Sequence, residues 1–585
     1  MPQRSVLAHA RTPLGLVGLL ALGCAGGSRQ APADLVLVNG VVLTVDSSDV
    51  IAEAVAIRGN RIAAVGSTAS IDSLVGPETE RIDLAGRTVT PGLLDAHNHF
   101  SSAAADRTGM IDLSYPHVAS IEEIARAVAA RADEAPGDGW VLGRGWDEGK
   151  LTERRLITAR DLDRVVPDRP VWLEQTMGHY GVANSAALAL ARIDRDTRDP
   201  PGGTIDRGPD GVPTGVLKES AQRLVTSLIP APTRADVEAS MEALARELNA
   251  EGMTGLKDPV VTDSAWASYQ RLLAAGALPL RVFALWAGGL TTEGAQELIA
   301  RRGAETRPDL SAGDDHLIAG GVKIFADGSG GARTAWVSDD WNRDRTGRDA
   351  GNRGYPTTDP DTLRAVIRMY HDAGLHVSTH AIGDRAIDLV VDTYTRAMAE
   401  NPKPGLRHGI IHANIPSDHA IEAMAGLQRD FDAGYPEPSA TFMWWIGDTY
   451  AGNFGPRTRR LDPFATFLRR GVRWANGSDF PVTPFPARYG IWASVARATA
   501  LGTYRDDPYG RNEAVDARTA LRAATIWVAH QMFLDEKIGS IEPGKYADLA
   551  VWDRNPHAVP TAQLEGMRCL LTIFDGRVVY RAEDR

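Results

Sequence analysis

Short apolar runs alternate with longer helical patterns through the middle of this 585-residue chain. Residues 375–380 and 409–412 are two such runs, and helical stretches such as 362–374 lie between them. This alternation is typical of βαβ units, in which helices connect parallel strands. The alternation therefore predicts an α/β fold, and since about 440 residues exceed what eight minimal units of ~30 residues need, insertions are required. We predict a (β/α)8 TIM barrel over 91–534 that carries an insertion at about 100–254.

The two ends of the chain share a different pattern. Short β-prone runs separated by turn signals such as Asn39-Gly40 and Gly59-Asn60 occupy 34–90, and similar runs return in 535–585. Nothing similar lies between them. We therefore expect one small β-sandwich built from both chain termini.

The first residues have the pattern of an export signal. Two arginines precede an apolar run at 14–24, which is too short for the ~20 residues that span a bilayer but fits a secretory signal. Ala21-Leu22-Gly23-Cys24 resembles the lipoprotein box of bacteria, so we expect a signal peptide at 1–23, a lipidated Cys24 and a tether at 24–33. The protein would then be exported and lipid-anchored in the cell envelope. The alternative is a plain secretory signal and a periplasmic or secreted protein.

Composition excludes other classes of function. A formal net charge of −12 and a pI near 5.7 provide no basic stripe for phosphates, which argues against a nucleic-acid partner. The two cysteines, Cys24 and Cys569, cannot form a disulfide framework. The sequence leaves open whether the chain acts as a homo-oligomer.

The strongest local motif is Val-Thr-Pro-Gly-Leu-Leu-Asp-Ala-His-Asn-His at 89–99. On a strand, alternation places His97 and His99 on the same face. Two imidazoles one strand step apart can reach one metal ion. A His-X-His pair alone is weak evidence, because two histidines near a strand end are often surface residues.

Four more polar residues stand in or at the ends of predicted strands. Lys323 lies in an apolar run where a bare ammonium would be costly to bury; the alternative to a ligand is a barrel lysine paired with a carboxylate such as Asp327. His380, His412 and Asp479 follow at intervals of one or two βα units. This spacing predicts that they meet at the C-terminal ends of the barrel strands, where the chemistry of such barrels takes place.

These motifs together resemble the amidohydrolase superfamily. Further motifs resemble its amidohydrolase-3, YtcJ-like branch: 143–147 (Gly-Arg-Gly-Trp-Asp), 178–179 (Gly-His), 184–188 (Asn-Ser-Ala-Ala-Leu), 322–329 (Val-Lys-Ile-Phe-Ala-Asp-Gly-Ser) and 380–386 (His-Ala-Ile-Gly-Asp-Arg-Ala). The run 541–549 matches the closing β-domain motif of the superfamily. The resemblance covers essentially the whole chain from Asp34 onward.

The resemblance implies a hydrolase that uses one or two divalent metal ions, with zinc the expected metal. The implied ligands are His97, His99 and Asp479 for one ion, His380 and His412 for a second, and Lys323 as a bridging carbamate formed with CO2. A metal-bound hydroxide would attack the carbonyl of a small-molecule amide, and Asp479 would carry the proton to the leaving nitrogen. The implied activity is hydrolysis of a non-peptide C–N bond of N-acyl or N-formyl type. A metal-dependent esterase or lactonase, or a non-catalytic envelope binding protein of the same fold, are the alternatives.

Two departures from the family pattern bear on the substrate. Many relatives carry Ile-Glu-His where this chain has Ile410-Ile411-His412, so a second carboxylate is missing. The Gln-Pro expected near the seventh strand is replaced by the segment 436–445.

Five further residues are candidates for contacts with the substrate. His179 is a candidate catalytic residue, in contact with substrate or oxyanion, and a structural histidine is the equal alternative. Arg333 could clamp a carboxylate, and Trp336, Trp444 and Trp445 could line an apolar pocket. A surface arginine and aromatics packed under a loop are the alternatives.

Overall fold

The computed structural model describes residues 31–134, 139–306, 315–341, 351–502 and 510–583. The predicted signal peptide and Cys24 lie outside these residues. In the described part of the chain, none of the helices combines the length and the apolar character that a membrane crossing requires.

The strands, in chain order, are β1 Leu35–Val38, β2 Val41–Leu43, β3 Ile51–Ala52, β4 Ala54–Arg58, β5 Arg61–Gly66, β6 Glu80–Asp83, β7 Thr88–Pro91, β8 Leu93–Asp95, β9 Ile111–Asp112, β10 Val141–Trp146, β11 Val171–Gln175, β12 Tyr180–Ala183, β13 Gly203–Arg207, β14 Pro213–Glu219, β15 Met253–Val261, β16 Arg281–Ala287, β17 Leu317–Phe325, β18 His376–Ala381, β19 Gly409–His412, β20 Tyr435–Glu437, β21 Leu549–Trp552, β22 Cys569–Phe574 and β23 Arg577–Arg581.

The helices are α1 Thr68–Asp72, α2 Phe100–Asp106, α3 Ile121–Glu134, α4 Ala159–Asp163, α5 Ser185–Leu190, α6 Arg223–Thr226, α7 Arg234–Ala250, α8 Asp263–Ala274, α9 Thr292–Arg302, α10 Pro360–Asp372, α11 Asp384–Glu400, α12 Asp418–Phe431, α13 Ala440–Trp445, α14 Gly447–Phe454, α15 Phe464–Arg469, α16 Ala487–Ala496, α17 Ala517–Ala523, α18 Ile526–Gln531 and α19 Thr561–Leu564. Short 3-10 turns occupy Ser220–Gln222, Gly455–Arg460 and Arg511–Glu513.

A parallel sheet forms the centre of the molecule. Its order is β20-β19-β18-β17-β16-β15-β8, and each neighbouring pair is parallel. Several helices between these strands begin at side chains that cap their free N–H groups, such as Thr262 for α8 and Ser417 for α12. Apolar residues of strands and helices form one continuous core. The predicted α/β class with a TIM-like barrel is confirmed.

The eighth position of the barrel is filled by residues 474–479, which are not a regular strand. Ala475 and Gly477 donate backbone hydrogen bonds to the carbonyls of Pro436 and Pro438 on one side, at 3.1 and 3.0 Å. On the other side, Asn476 accepts a bond from Ala96 at 3.1 Å. The ladder is incomplete because the two prolines have no N–H to donate in return.

Two antiparallel-rich sheets pack beside the barrel. One has the order β5-β4-β1-β6, and the other has the order β23-β22-β21-β7-β2-β3, so the second sheet joins strands from both ends of the chain. A shared apolar core, which includes Leu37, Ile57, Leu549 and Ile573, lies between them. The pairing of β21 with β7 connects the termini directly.

A third sheet, in the order β13-β14-β12-β11-β10-β9, belongs to the region between barrel strands β8 and β15. It has its own apolar cluster around Trp172, Leu217 and Val225. This sheet covers one side of the barrel mouth and contributes side chains to the site described next.

Candidate metal centre

The candidate site lies at the seam of the barrel, where β8 meets residues 474–479. Asp95, the last residue of β8, is buried and accepts four hydrogen bonds: from His97 N at 3.0 Å, Asn98 Nδ2 at 3.0 Å, Ser478 N at 2.9 Å and Ser478 Oγ at 2.6 Å. Asp479 N donates to the His97 carbonyl at 2.7 Å. Gly477 lies so close that a Cβ there would come within 2.7 Å of the His97 Cβ. The His-X-His segment and Asp479 are therefore held face to face.

His97, His99 and Asp479 form one compact group. The Nε2 atoms of both histidines lie 3.2 Å from Asp479 Oδ1, and the ligand atoms of the three residues lie within 4.8 Å of one another. Burial, and then the nearby Lys323, keep the pKa of His97 well below its usual range. Although burial opposes it, contact with the two histidines holds the pKa of Asp479 well below its usual range. A neutral imidazole beside a carboxylate is a donor set suited to a divalent cation.

His380 and His412 stand beside this group. Their ring centroids are 4.7 Å apart, and His412 lies 5.2 Å from the ring of His97. Burial lowers the pKa of His412 to about 3 and that of His380 well below its usual range. His412 and Asp479 have φ values of 71° and 55°. Such left-handed conformations are uncommon in residues other than glycine and concentrate at functional sites.

Lys323 is buried in β17, with 1% of its surface exposed. Its Nζ lies 4.8 Å from the centre of the Phe325 ring, and no described carboxylate forms an ion pair with it. Asp327, the alternative partner, instead accepts backbone N–H bonds from Trp336, Ile382 and Gly383 at 2.8–3.0 Å. Burial lowers the pKa of Lys323 to about 7.

The carboxylate that is missing at position 411 has a counterpart on the next strand. Glu437 of β20 is in register with Ile411 of β19. It is fully buried, and its Oε1 accepts bonds from Lys257 Nζ at 2.6 Å and Ser378 Oγ at 3.0 Å. No sequence motif marked Lys257 or Glu437, since Lys257 stands beside Asp258 in β15 and Glu437 stands between two prolines.

A cavity of about 800 Å³ opens onto these residues. His99, Lys323, His380, His412 and Asp479 line its floor, and the third sheet contributes Arg144, Glu174, His179 and Glu219 to its wall. His179 therefore lies in the same cavity as the candidate ligands, with its ring 5.2 Å from that of His380. Although burial opposes it, the charge of Glu219 raises the pKa of His179.

The other four candidate substrate residues do not line this cavity as the described residues form it. Arg333 Nε donates to Asn453 Oδ1 at 3.0 Å. The Trp336 ring lies under the guanidinium of Arg385, at 4.3 Å. Trp444 packs against Tyr489 and Trp492. The ammonium of Lys150 lies 3.8 Å from the centre of the Trp445 ring. The last three contacts fix helix α13 against its neighbours.

The donor atoms themselves fit a metal ion. Nδ1 of His412 is buried without a hydrogen-bond partner among the described residues, and the same is true of both ring nitrogens of His97, of which Nε2 faces Asp479. Leaving a buried nitrogen unsatisfied costs about 1–3 kcal/mol, so several imidazoles around one carboxylate are an expensive arrangement unless a cation uses them.

Comparison with known proteins agrees with this geometry. A family model described as "Amidohydrolase family" matches residues 80–580. N-substituted formamide deformylase of Arthrobacter pascens is 33% identical over 561 residues, which cover 94% of this chain and 98% of that protein. Putative amidohydrolase YtcJ of Bacillus subtilis is 29% identical, with 90% and 96% covered.

Solved structures show the same fold. An uncharacterized metal-dependent hydrolase from Pyrococcus furiosus superposes with a TM-score of 0.65 at 26% identity, over 89% of this chain and 99% of that one. A second such hydrolase, from Pyrococcus horikoshii, has a TM-score of 0.68 at 24% identity, over 90% and 99%. The resemblance seen in the motifs is confirmed. This chain belongs to the amidohydrolase family.

Proposed function

We propose that this protein is a metal-dependent hydrolase of non-peptide C–N bonds, acting on a small-molecule amide of N-acyl or N-formyl type. The observation that carries the proposal is the compact group of His97, His99 and Asp479, of which His99 and Asp479 line a cavity of about 800 Å³ and His97 is buried behind them. The likeness to a protein named N-substituted formamide deformylase over nearly the whole chain supports the C–N bond.

Each side chain has a role in this proposal. His97, His99 and Asp479 would hold one divalent ion, and His380 and His412 a second. Imidazole-rich sets suit zinc, and such ions, when bound, polarise a carbonyl and lower the pKa of water. Asp479 Oδ1 lies against both histidines. This leaves Oδ2 to accept the proton of the attacking water and to pass it to the leaving nitrogen.

Lys323 would bridge the two sets as a carbamate formed with CO2. Two properties support this role: its Nζ has no ion-pair partner among the described residues, and burial lowers its pKa to about 7. A neutral amine has the lone pair that attack on CO2 requires. Its attack forms an N–C bond and releases a proton, and the carbamate shares one negative charge between two oxygens, which are ligands for divalent cations.

The test compares matched substrates on metal-loaded protein. N-butylformamide and butyl formate carry the same acyl group and the same alkyl chain, so they differ only in the bond that is cleaved. N-acetylated amino acids extend the panel. We expect bound zinc near one or two equivalents and turnover of at least one amide. Turnover of the ester alone would favour an esterase or lactonase, and absence of bound metal and of turnover would favour a binding protein.

We also propose that the mature chain begins at a lipidated Cys24 in a bacterial envelope. The support is the pattern of arginines, apolar run and Cys24 in the first 24 residues. One acyl chain binds membranes marginally, whereas several together anchor stably. Cys24→Ser should shift the protein from the membrane fraction or block processing, and unchanged fractionation would contradict the proposal.

A further inference from the structure

Strand pairing brings Glu219 next to His179. β14 runs antiparallel to β12, with Lys218 opposite Tyr180, and Glu219 N donates to the His179 carbonyl at 2.8 Å. Glu219 itself has φ 52° and ψ −129°. This conformation is unusual for a residue with a side chain and needs support from its surroundings.

The carboxylate of Glu219 is fixed from two sides. Its two oxygens lie 3.1 and 2.9 Å from His179 Nδ1, and Oε1 also accepts a bond from Thr334 Oγ1 at 2.5 Å. The loop around Gly328 closes the remaining space, since a Cβ at Gly328 would come within 2.4 Å of Glu219 Oε1 and 2.1 Å of Thr334 Oγ1. The side chain is 8% exposed.

The orientation of the His179 ring follows from these contacts. Because Nδ1–H is donated to Glu219, Nε2 is the nitrogen left for another partner. The ring lines the cavity, is 18% exposed and lies 5.2 Å from the ring of His380. A carboxylate that orients an imidazole through Nδ1 is the arrangement by which proteins fix a working histidine.

We propose that Glu219 is a positioning residue: it holds His179 so that Nε2 contacts the reacting amide of the substrate. The inference rests on the proposed function and adds a residue to it. Glu219 touches neither the candidate ligands nor the substrate in this scheme, and it acts only through His179. If Glu219 were merely a structural strand end, its removal would affect the protein whether or not His179 were present.

A double-mutant cycle on N-butylformamide separates these cases. Glu219→Ala should lower kcat by about 10–100-fold, as loss of an orienting partner typically does, while KM changes less and zinc content stays at the wild-type level. In a His179→Ala background, Glu219→Ala should lower kcat by no more than about twofold. Glu219→Gln, which keeps an oxygen that can accept the Nδ1–H bond, should retain more activity than Glu219→Ala.

Equal losses from Glu219→Ala with and without His179, or wild-type kcat in Glu219→Ala, would overturn the inference. If Glu219→Ala proves insoluble, the cycle is run with Glu219→Gln. Glu251→Ala is the control, because Glu251 pairs with Arg488 outside the cavity; it should leave kcat unchanged. A wild-type protein that cleaves no member of the amide panel would instead refute the proposed function.

Discussion

Asp95 and Ser478 are joined by two hydrogen bonds across the barrel seam, from Ser478 N at 2.9 Å and from Ser478 Oγ at 2.6 Å. The bonds connect residues 383 positions apart in sequence, and each lies next to a candidate ligand. Asp95 is wholly buried, and burial raises its pKa to about 6. The position of the His-X-His segment relative to Asp479 thus depends on one carboxylate.

Ser478→Ala removes both bonds of the hydroxyl, the one donated to Asp95 and the one accepted from Phe480 N at 3.0 Å, and leaves the backbone bond to Asp95 in place. Partners that orient metal ligands typically contribute 10–100-fold to affinity, so we expect zinc affinity to fall by about 10–100-fold, as measured by competition with a chelating dye. Ser494→Ala is the matched control, since Ser494 is buried and its hydroxyl bonds, among the described residues, only to the Gly490 carbonyl of its own helix. Equal zinc affinity in the two variants would show that the seam does not position the ligands.

Lys323→Ala should lose most bound metal and most activity while keeping its fold. Lys323→Arg should also lose most bound metal and most activity, since a guanidinium stays charged and cannot take up CO2. Small carboxylic acids added to the alanine variant should partly restore turnover by taking the place of the carbamate. The measurements are metal content and kcat/KM, with Lys537→Ala as control, because Lys537 pairs with Asp315 at 2.6 Å. Full metal and wild-type rate in Lys323→Ala would refute the bridging role.

Removing one partner of the buried ion pair between Lys257 and Glu437 should destabilise the folded protein. Lys257→Met leaves Glu437 buried without its cation, which should lower the free energy of unfolding by about 3–5 kcal/mol. The double variant Lys257→Met, Glu437→Leu should lower the free energy of unfolding by much less, because no charge is then left buried. Urea midpoints test this, with Arg107→Met as control, because the pair of Arg107 and Glu247 is exposed and should contribute less than about 1 kcal/mol. A double variant as unstable as the single one would contradict the prediction.

Removing the C-terminal strands should make the protein insoluble. A chain ending at Glu542 lacks β21, β22 and β23, which form half of a six-stranded sheet, and it exposes the edge of β7. A chain ending at Ala582 keeps all three strands and serves as control. Fractionation after expression gives the result. A soluble, fully active truncation at Glu542 would contradict a composite β-sandwich.

Buried histidines at the opposite end of the barrel predict loss of stability in acid. Val377 N–H donates to His408 Nδ1 at 3.1 Å, so His408 Nε2–H donates to His371 Nδ1 at 3.0 Å. Burial lowers the pKa of His408 to about 3. The unfolded chain takes up a proton near pH 6.5 and the folded chain does not. The contribution of His408 to the free energy of unfolding is therefore complete above pH 6.5 and is lost as the pH falls towards 3. At pH 5 about 2 kcal/mol of it is lost.

His408→Phe should therefore show a smaller fall in Tm between pH 7.5 and pH 5.0 than the wild type does. The comparison uses the change with pH, since the variant loses hydrogen bonds at every pH. His419→Phe is the control, because His419 is exposed beside Asp392. An unchanged pH dependence in His408→Phe would show that His408 titrates normally in the folded protein.

Local patterns predicted the main elements of the barrel because strand and helix periodicity are properties of neighbouring residues. β19 has the expected bounds, and the helical stretch expected at 362–374 is observed at Pro360–Asp372. The chain that leads to Asp479, residues 474–479, does not form the regular strand expected there, since the two prolines of its neighbour have no N–H. Spacing along the chain also predicted that Lys323, His380, His412 and Asp479 meet at one end of the barrel, because each stands near the carboxyl end of a predicted strand.

Tertiary structure alone decided what surrounds those ligands. Ile411 and Glu437 lie on different strands, and only parallel pairing places the carboxylate beside the position where the motif lacks one. Glu219 reaches His179 across 40 residues, and Asp95 reaches Ser478 across 383. No local pattern marks such pairs, because the sequence around a buried polar residue is the same whether or not a distant partner contacts it. The sequence by itself determined which candidate residues stand near the ends of the barrel strands; the closing of the barrel and the docking of the third sheet determined which side chains they contact.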